Sequence, residues 1–129
     1  MKVAFATTDG IHVDEHFGRA GRFAVYEFTK DGYKDVGELV FAEGRDTAVE
    51  ATKGRGELHD EAVEKKVEKL SGCSIVYFTN IGGPSAARLV KKGIMPVKVA
   101  EGASIGDTAK ALMETVRTAP PPWMKRLVG

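Results

Sequence analysis

Residues 2–7 of the chain, Lys2-Val3-Ala4-Phe5-Ala6-Thr7, are apolar on both faces of an extended backbone. A strand that shows water neither face belongs in the middle of a sheet covered on both sides. That requirement narrows the fold to a sheet with helices packed on its faces. At 129 residues, 43% of them apolar, the chain has material for one such domain.

The other elements follow in order. Arg22 to Phe28 is a second β run, and the turn dipeptide Asp31-Gly32 leads into a third, from Tyr33 to about Phe41. These two form an antiparallel hairpin beside the first strand. Glu43 to Glu57 is rich in glycine and charge without a period and reads as a mobile loop. The period then becomes helical: Leu58 to Leu70 puts Val63, Val67 and Leu70 on one face, and Gly72 ends it. Ser74 to Thr79 is a buried strand. Gly82-Gly83-Pro84 opens a helix over Ser85 to Lys92, with proline in the first turn and Gly93 as a stop. Pro96 to Val99 is a short strand. Ser104 and Asp107 make a capping box for a last helix that turns Ile105, Ala109, Leu112, Met113 and Val116 inward.

Pro120-Pro121-Pro122 forbids continuation of that helix. The expectation is a single domain over 1–119 with a Pro-rich tail at 120–129. In that tail Trp123 and Met124 either dock a partner or fold back on the domain. The order β-β-β-α-β-α-β-α implies an α/β fold with a five-stranded mixed sheet. It resembles the ribonuclease-H-like layout, in which the first strand lies beside the fourth.

Several function classes drop out. Lys and Arg number 19 against 18 Asp and Glu, a net charge of +1, which gives no overall footprint for nucleic acid or membrane. The apolar runs are too short to span a bilayer, and Met1-Lys2-Val3 enters a strand rather than a leader. Cys73 is the one cysteine, so no internal disulfide forms, and the expected location is the cytoplasm. A two-metal nuclease needs carboxylates from several strands, but Ile75 to Thr79 carries none. No nucleophile and base pair is evident, because Ser85 has no histidine partner.

The best lead to function is Asp14-Glu15-His16-Phe17-Gly18-Arg19-Ala20, just past the first strand. Open α/β sheets place their sites at the carboxyl ends of strands. His16 is a candidate metal or cluster ligand, with Asp14 and Glu15 available to orient its ring. Gly18 would let backbone approach a bulky ligand. The plainer alternative is a loop histidine that holds a turn, and the residues alone leave both open. His12, four residues earlier, is a possible second ligand. His59 reads as a surface residue.

Ile81-Gly82-Gly83-Pro84-Ser85 is the second candidate, since glycines before a helix free backbone N–H groups for an anion. A tight turn that needs glycine for steric reasons is an equal alternative. With the first and fourth strands as neighbours, this turn and the His16 loop share one sheet edge. Arg19, Arg22, Arg45, Lys53 and Arg55 could steer an anion there. Cys73 starts the fourth strand, at the opposite edge and about 20 Å away, and reads as a buried core thiol.

Four stretches together resemble the nitrogenase iron–molybdenum-cofactor carrier family, the NifX/NafY-like domains also found at the tail of NifB proteins. They are Lys2 to Gly10, Val13 to Ala20, Gly72-Cys73 with its strand, and Ile81 to Val99; the Pro-Pro-Pro-Trp tail is similar too. The resemblance covers nearly the whole chain and implies the ribonuclease-H-like fold. It implies binding rather than catalysis, with iron–molybdenum cofactor or its iron–sulfur precursor as cargo and nitrogenase cofactor-assembly proteins as partners. By motif, His16 matches the histidine credited with holding the cargo. Imidazole for an exposed metal, backbone donors for sulfides and nearby positive charge suit such a cluster. The expected cofactor-binding set is His16, Gly18, Arg19, Gly82 and Gly83, with His16 and His12 toward metal. Two other classes stay open: a module for a phosphorylated small molecule at Gly82 to Ser85, and a regulatory domain acting through Trp123.

Overall fold

The computed structural model describes residues 1–41 and 63–128. The loop expected over Glu43 to Glu57 and the start of the helix expected at Leu58 lie outside the described residues. The strands are β1 (Lys2–Ala6), β2 (His12–Val13), β3 (Arg22–Thr29), β4 (Gly32–Val40), β5 (Ile75–Phe78), β6 (Met95–Lys98) and β7 (Ala103–Ser104). Four helices accompany them among the described residues: α1 (63–69), α2 (Gly83–Lys91), α3 (Ile105–Thr118) and α4 (Pro122–Val128).

The main sheet has five strands in the order β4-β3-β1-β5-β6, while β2 and β7 form a separate two-stranded ribbon. β1 runs antiparallel to β3 and parallel to β5, and β5 runs parallel to β6, so the sheet is mixed. The apolar first strand is central, as its composition requires. Side-chain alternation along it feeds two cores. Val3 and Phe5 pack with Ile75 and Tyr77 beneath α3 and α4. Ala4 and Ala6 pack with Val76 and Phe78 on the opposite face, against Val63 and Val67 of α1, Leu70 just past its end, and Leu89 of α2.

Local chemistry explains the element ends. The Ser104 hydroxyl accepts from the Asp107 N–H at 3.1 Å and starts α3 as expected. The five inward residues of α3 are all buried. Two features exceed the expectation. The β2–β7 ribbon pairs only two residues a side, too short to leave a periodic trace. The prolines stop α3 at Thr118, but Pro122 then begins α4, a role its fixed φ suits. Met124 and Val128 of α4 are buried in the α3 core with Trp123 packed beside them, so this segment folds back on the domain.

The arrangement at the carboxyl ends of β1 and β5 positions the site. The two strands pair from Val3↔Ile75 to Phe5↔Tyr77. Beyond that the segment around His16 takes over their hydrogen bonds. Asp14 N–H donates to Ala6 O at 3.3 Å, Thr79 N–H to Glu15 O at 3.0 Å, and Phe17 N–H to Asn80 O at 2.8 Å. Between β1 and β5 the chain order also reverses, with β3 and β4 on one side and β5 and β6 on the other. Open α/β sheets place their sites at such switch points, beyond the carboxyl ends of the strands.

Candidate functional site at the β1–β5 switch point

His16 pairs with Asn80 as a parallel bridge, which brings its loop onto the turn leading to α2. The two sequence candidates therefore share one sheet edge. His16 has extended backbone and precedes a 3-10 turn, Phe17–Arg19, in which Arg19 N–H donates to His16 O at 3.1 Å. Phe17 anchors the turn: it is fully buried, with ring centroids 5.8 Å from Phe23 and 6.2 Å from Phe78. His16 and Arg19 stay exposed on either side of that anchor. A buried wedge flanked by exposed imidazole and guanidinium presents both groups without making the fold depend on them.

Beside this loop, Asn80, Gly82, Gly83 and Pro84 are exposed. Gly82 is the N-cap of α2, and no side chain caps the helix. The first-turn N–H groups of α2 thus have no side-chain acceptor. At Gly82 the backbone is extended, with φ −77° and ψ 153°. A Cβ added at Gly18, Gly82 or Gly83 would meet nothing within 4 Å, and none of the three has positive φ. Neither backbone strain nor crowding in the protein itself calls for glycine there. Gly10, at φ +77°, is different, because its conformation disfavours a side chain. The steric explanation for Gly82-Gly83 therefore falls away. Thr79, at the same edge, has a buried hydroxyl with no hydrogen-bond partner.

The carboxylates are arranged otherwise than expected. Asp14 does not orient His16: its oxygens accept from the Thr8 N–H at 2.8 Å and the Thr8 hydroxyl at 2.6 Å. His12 has a carboxylate partner: its Nδ1 lies 2.8 Å from Asp9 Oδ2. Asp9 also accepts from the backbone N–H groups of Ile11 and His12. The His12 ring and backbone, followed by Ile11, hold the Asp9 carboxyl well below the usual carboxylate range. That pairing leaves Nε2 as the outward nitrogen of His12. Among the described residues, no three His, Cys, Asp or Glu side chains group so as to hold a metal ion.

Of the cations expected to steer an anion, Arg19 is exposed at the site, whereas Arg22 bonds Thr8 O at 3.0 Å and pairs with Glu38 at 3.6 Å. Arg45, Lys53, Arg55 and His59 lie outside the described residues. Cys73 is a buried thiol at the start of β5, the opposite end from His16. Burial pushes its pKa up to about 11, against a smaller opposing effect of Lys2.

One important residue escaped the sequence. Lys66 of α1 is only 2% exposed. Its Nζ donates to Phe17 O at 2.9 Å and Gly18 O at 3.3 Å, directly beneath the His16 turn. The same ammonium sits 5.5 Å from the centroid of Phe17 and 5.8 Å from that of Phe41. Burial lowers its pKa to about 8, while the charge of Glu15 works the other way. The signal was available: Lys66 is three residues from Val63 and four from Leu70, a charge set in an apolar stripe.

The molecule is a small α/β domain whose candidate donors, His16, Arg19 and the exposed start of α2, lie together at the switch point between β1 and β5. The family model described as "Dinitrogenase iron-molybdenum cofactor" matches residues 1–115, and the chain belongs to that family. It is 37% identical to Protein NifX of Sinorhizobium fredii (strain NBRC 101917 / NGR234) and 35% identical to Protein NifX of Rhodobacter capsulatus. Each match covers 100% of this chain and 78% of the relative. It is also 36% identical over 94 residues to the "FeMo cofactor biosynthesis protein NifB" of Sinorhizobium fredii, spanning 73% of this chain and 17% of that protein. The structure of PH0822 superimposes with a TM-score of 0.62 at 20% identity, covering 88% of this chain and 90% of that one, a likeness of fold.

Proposed function

We propose that the protein is a non-enzymatic carrier that binds and hands on iron–molybdenum cofactor or its iron–sulfur precursor during nitrogenase cofactor assembly. The observation that carries this reading is the His16–Asn80 bridge. It joins an exposed imidazole to an uncapped helix start whose glycines have no structural reason of their own. Family membership and the names of the NifX and NifB relatives support the cargo. His16 is the main metal ligand, and His12, its Nδ1 occupied by Asp9, is the candidate for a second through Nε2. Backbone N–H groups at Gly82, Gly83 and Gly18 meet the sulfides, and Arg19 balances charge. Few protein ligands suit cargo that must leave again. The partners are other cofactor-assembly proteins, and the setting is the cytoplasm. No helix among the described residues is long and apolar enough to cross a membrane.

We also assign the sheet to the ribonuclease-H-like class, on the placement of β1 between β3 and β5. The domain proper is 1–119, with 120–129 as an appended segment whose helix α4 covers the α3 core.

The test is anaerobic titration with isolated cofactor and with its iron–sulfur precursor, followed by the cluster's electron paramagnetic signal as it co-migrates with protein. Binding lost in His16→Ala establishes carrier and ligand together. Binding retained in His16→Ala but lost in His12→Ala reassigns the ligand. Absence of binding to either cluster ends the carrier reading and directs attention to phosphate compounds at the start of α2.

A further inference from the structure

The Lys66 ammonium meets the Phe17 and Gly18 carbonyls and the Phe17 and Phe41 rings, although it lies 49 positions from Phe17 in sequence. Placing an amine where it is 2% exposed opposes folding unless its donors find acceptors. Here the acceptors are two successive peptide carbonyls of one turn. A trans peptide points its N–H opposite to its C=O, and the described chain has no cis bonds. With Phe17 O drawn inward to Lys66, the N–H of Gly18 is directed away from the interior. Arg19 N–H, on the next peptide, returns to His16 O. The Gly18 N–H therefore faces out on the turn that carries His16, where a Cβ would meet nothing within 4 Å.

We propose that Lys66 is a positioning residue. Gripping the Phe17 and Gly18 carbonyls from beneath, it sets the Phe17–Gly18 peptide so that its N–H is presented outward to an anionic ligand held at His16. The ligand class is a sulfide-bearing metal cluster, and this part rests on the carrier reading above. Lys66 itself never touches the ligand.

The test uses the full chain with Lys66→Met, which keeps length and removes the donors, and Lys66→Arg, which restores donors and charge. Two readouts are followed. The first is the Gly18 amide resonance and its hydrogen exchange in the ligand-free protein. The second is the affinity for isolated iron–molybdenum cofactor under anaerobic conditions. The expected result is a displaced, altered Gly18 amide and about tenfold weaker cluster binding in Lys66→Met, with most of both recovered in Lys66→Arg. A Lys66→Met protein whose Gly18 amide and affinity match wild type overturns the proposal. So does weaker binding with no change at Gly18, since that is loss of stability alone. Should Lys66→Met fail to fold, Lys66→Gln, with its neutral donor, is read by the same criteria. If wild type binds no cluster, the carrier reading fails by itself, and the Gly18 amide still decides the role of Lys66 either way.

Discussion

The two ends of the central sheet contrast sharply. At the amino end, Cys73 carries the most metal-seeking side chain of the protein, yet it is buried and its thiol is pushed up to about 11. The chain there closes on itself, with Ser74 N–H donating to Lys2 O at 2.7 Å. At the carboxyl end, β1 and β5 diverge, an extra segment enters between them, and imidazole, guanidinium and bare glycines are left exposed. Residue type alone would have ranked the cysteine first. Position on the sheet reverses the ranking, because a thiolate ligand needs both deprotonation and access, and Cys73 has neither.

Removing the anchor of the open end should do the most damage. Phe17→Ala should cost about 3–5 kcal/mol of stability by denaturant unfolding, since the ring is fully buried between Phe23 and Phe78. A cost under about 1 kcal/mol would show that the turn is held by other means. His16→Ala should weaken cluster binding by on the order of a hundredfold. Its melting temperature should stay near wild type, because the ring is exposed.

Lys66 holds its proton less tightly folded, at about 8, than its ordinary value of 10.5. Between those values the unfolded chain binds more protons, so stability contributed by this group rises with pH and the cost of burial is complete below pH 8. Wild type should gain on the order of 2 kcal/mol relative to Lys66→Met from pH 8 to 10.5. Parallel urea midpoints for the two proteins over that range would sink the assignment. The comparison cancels the opposite trend from Cys73, whose raised pKa favours folding less as the unfolded thiol ionises.

Smaller effects sharpen the contrast in the glycines. Gly82→Ala and Gly83→Ala should change stability by no more than about 1 kcal/mol, given the open space around each. Cluster affinity should fall in both, and unchanged affinity would remove that turn from the site. The smallest effect is expected at Cys73. In the native state it should resist alkylation at pH 8, and Cys73→Ala should leave cluster binding as it was.

Some of this was legible in residues. The period-2 and period-3.6 runs located the main strands and helices to within about two residues where they are described. The Ser104 cap and the Val63, Val67, Leu70 face follow from local spacing. The shared edge of His16 and Gly82-Gly83 followed from element order. The carboxylate partner was misplaced for a local reason: Asp14 is nearer His16 in sequence, but its oxygens satisfy Thr8 across the bend. The β2–β7 ribbon was hidden because it joins residues some ninety positions apart over two residues.

The central strand, the order of elements around it and the loop that carries His16 can all be read from the residues. Those rest on propensity, side-chain period and short-range capping, which neighbouring residues settle. That this loop enters between β1 and β5, and that Lys66, 49 residues beyond Phe17, grips it from below, emerges from the folded chain alone. Hydrogen bonds and burial across that separation exist only once both cores have closed, so no local window of sequence contains them.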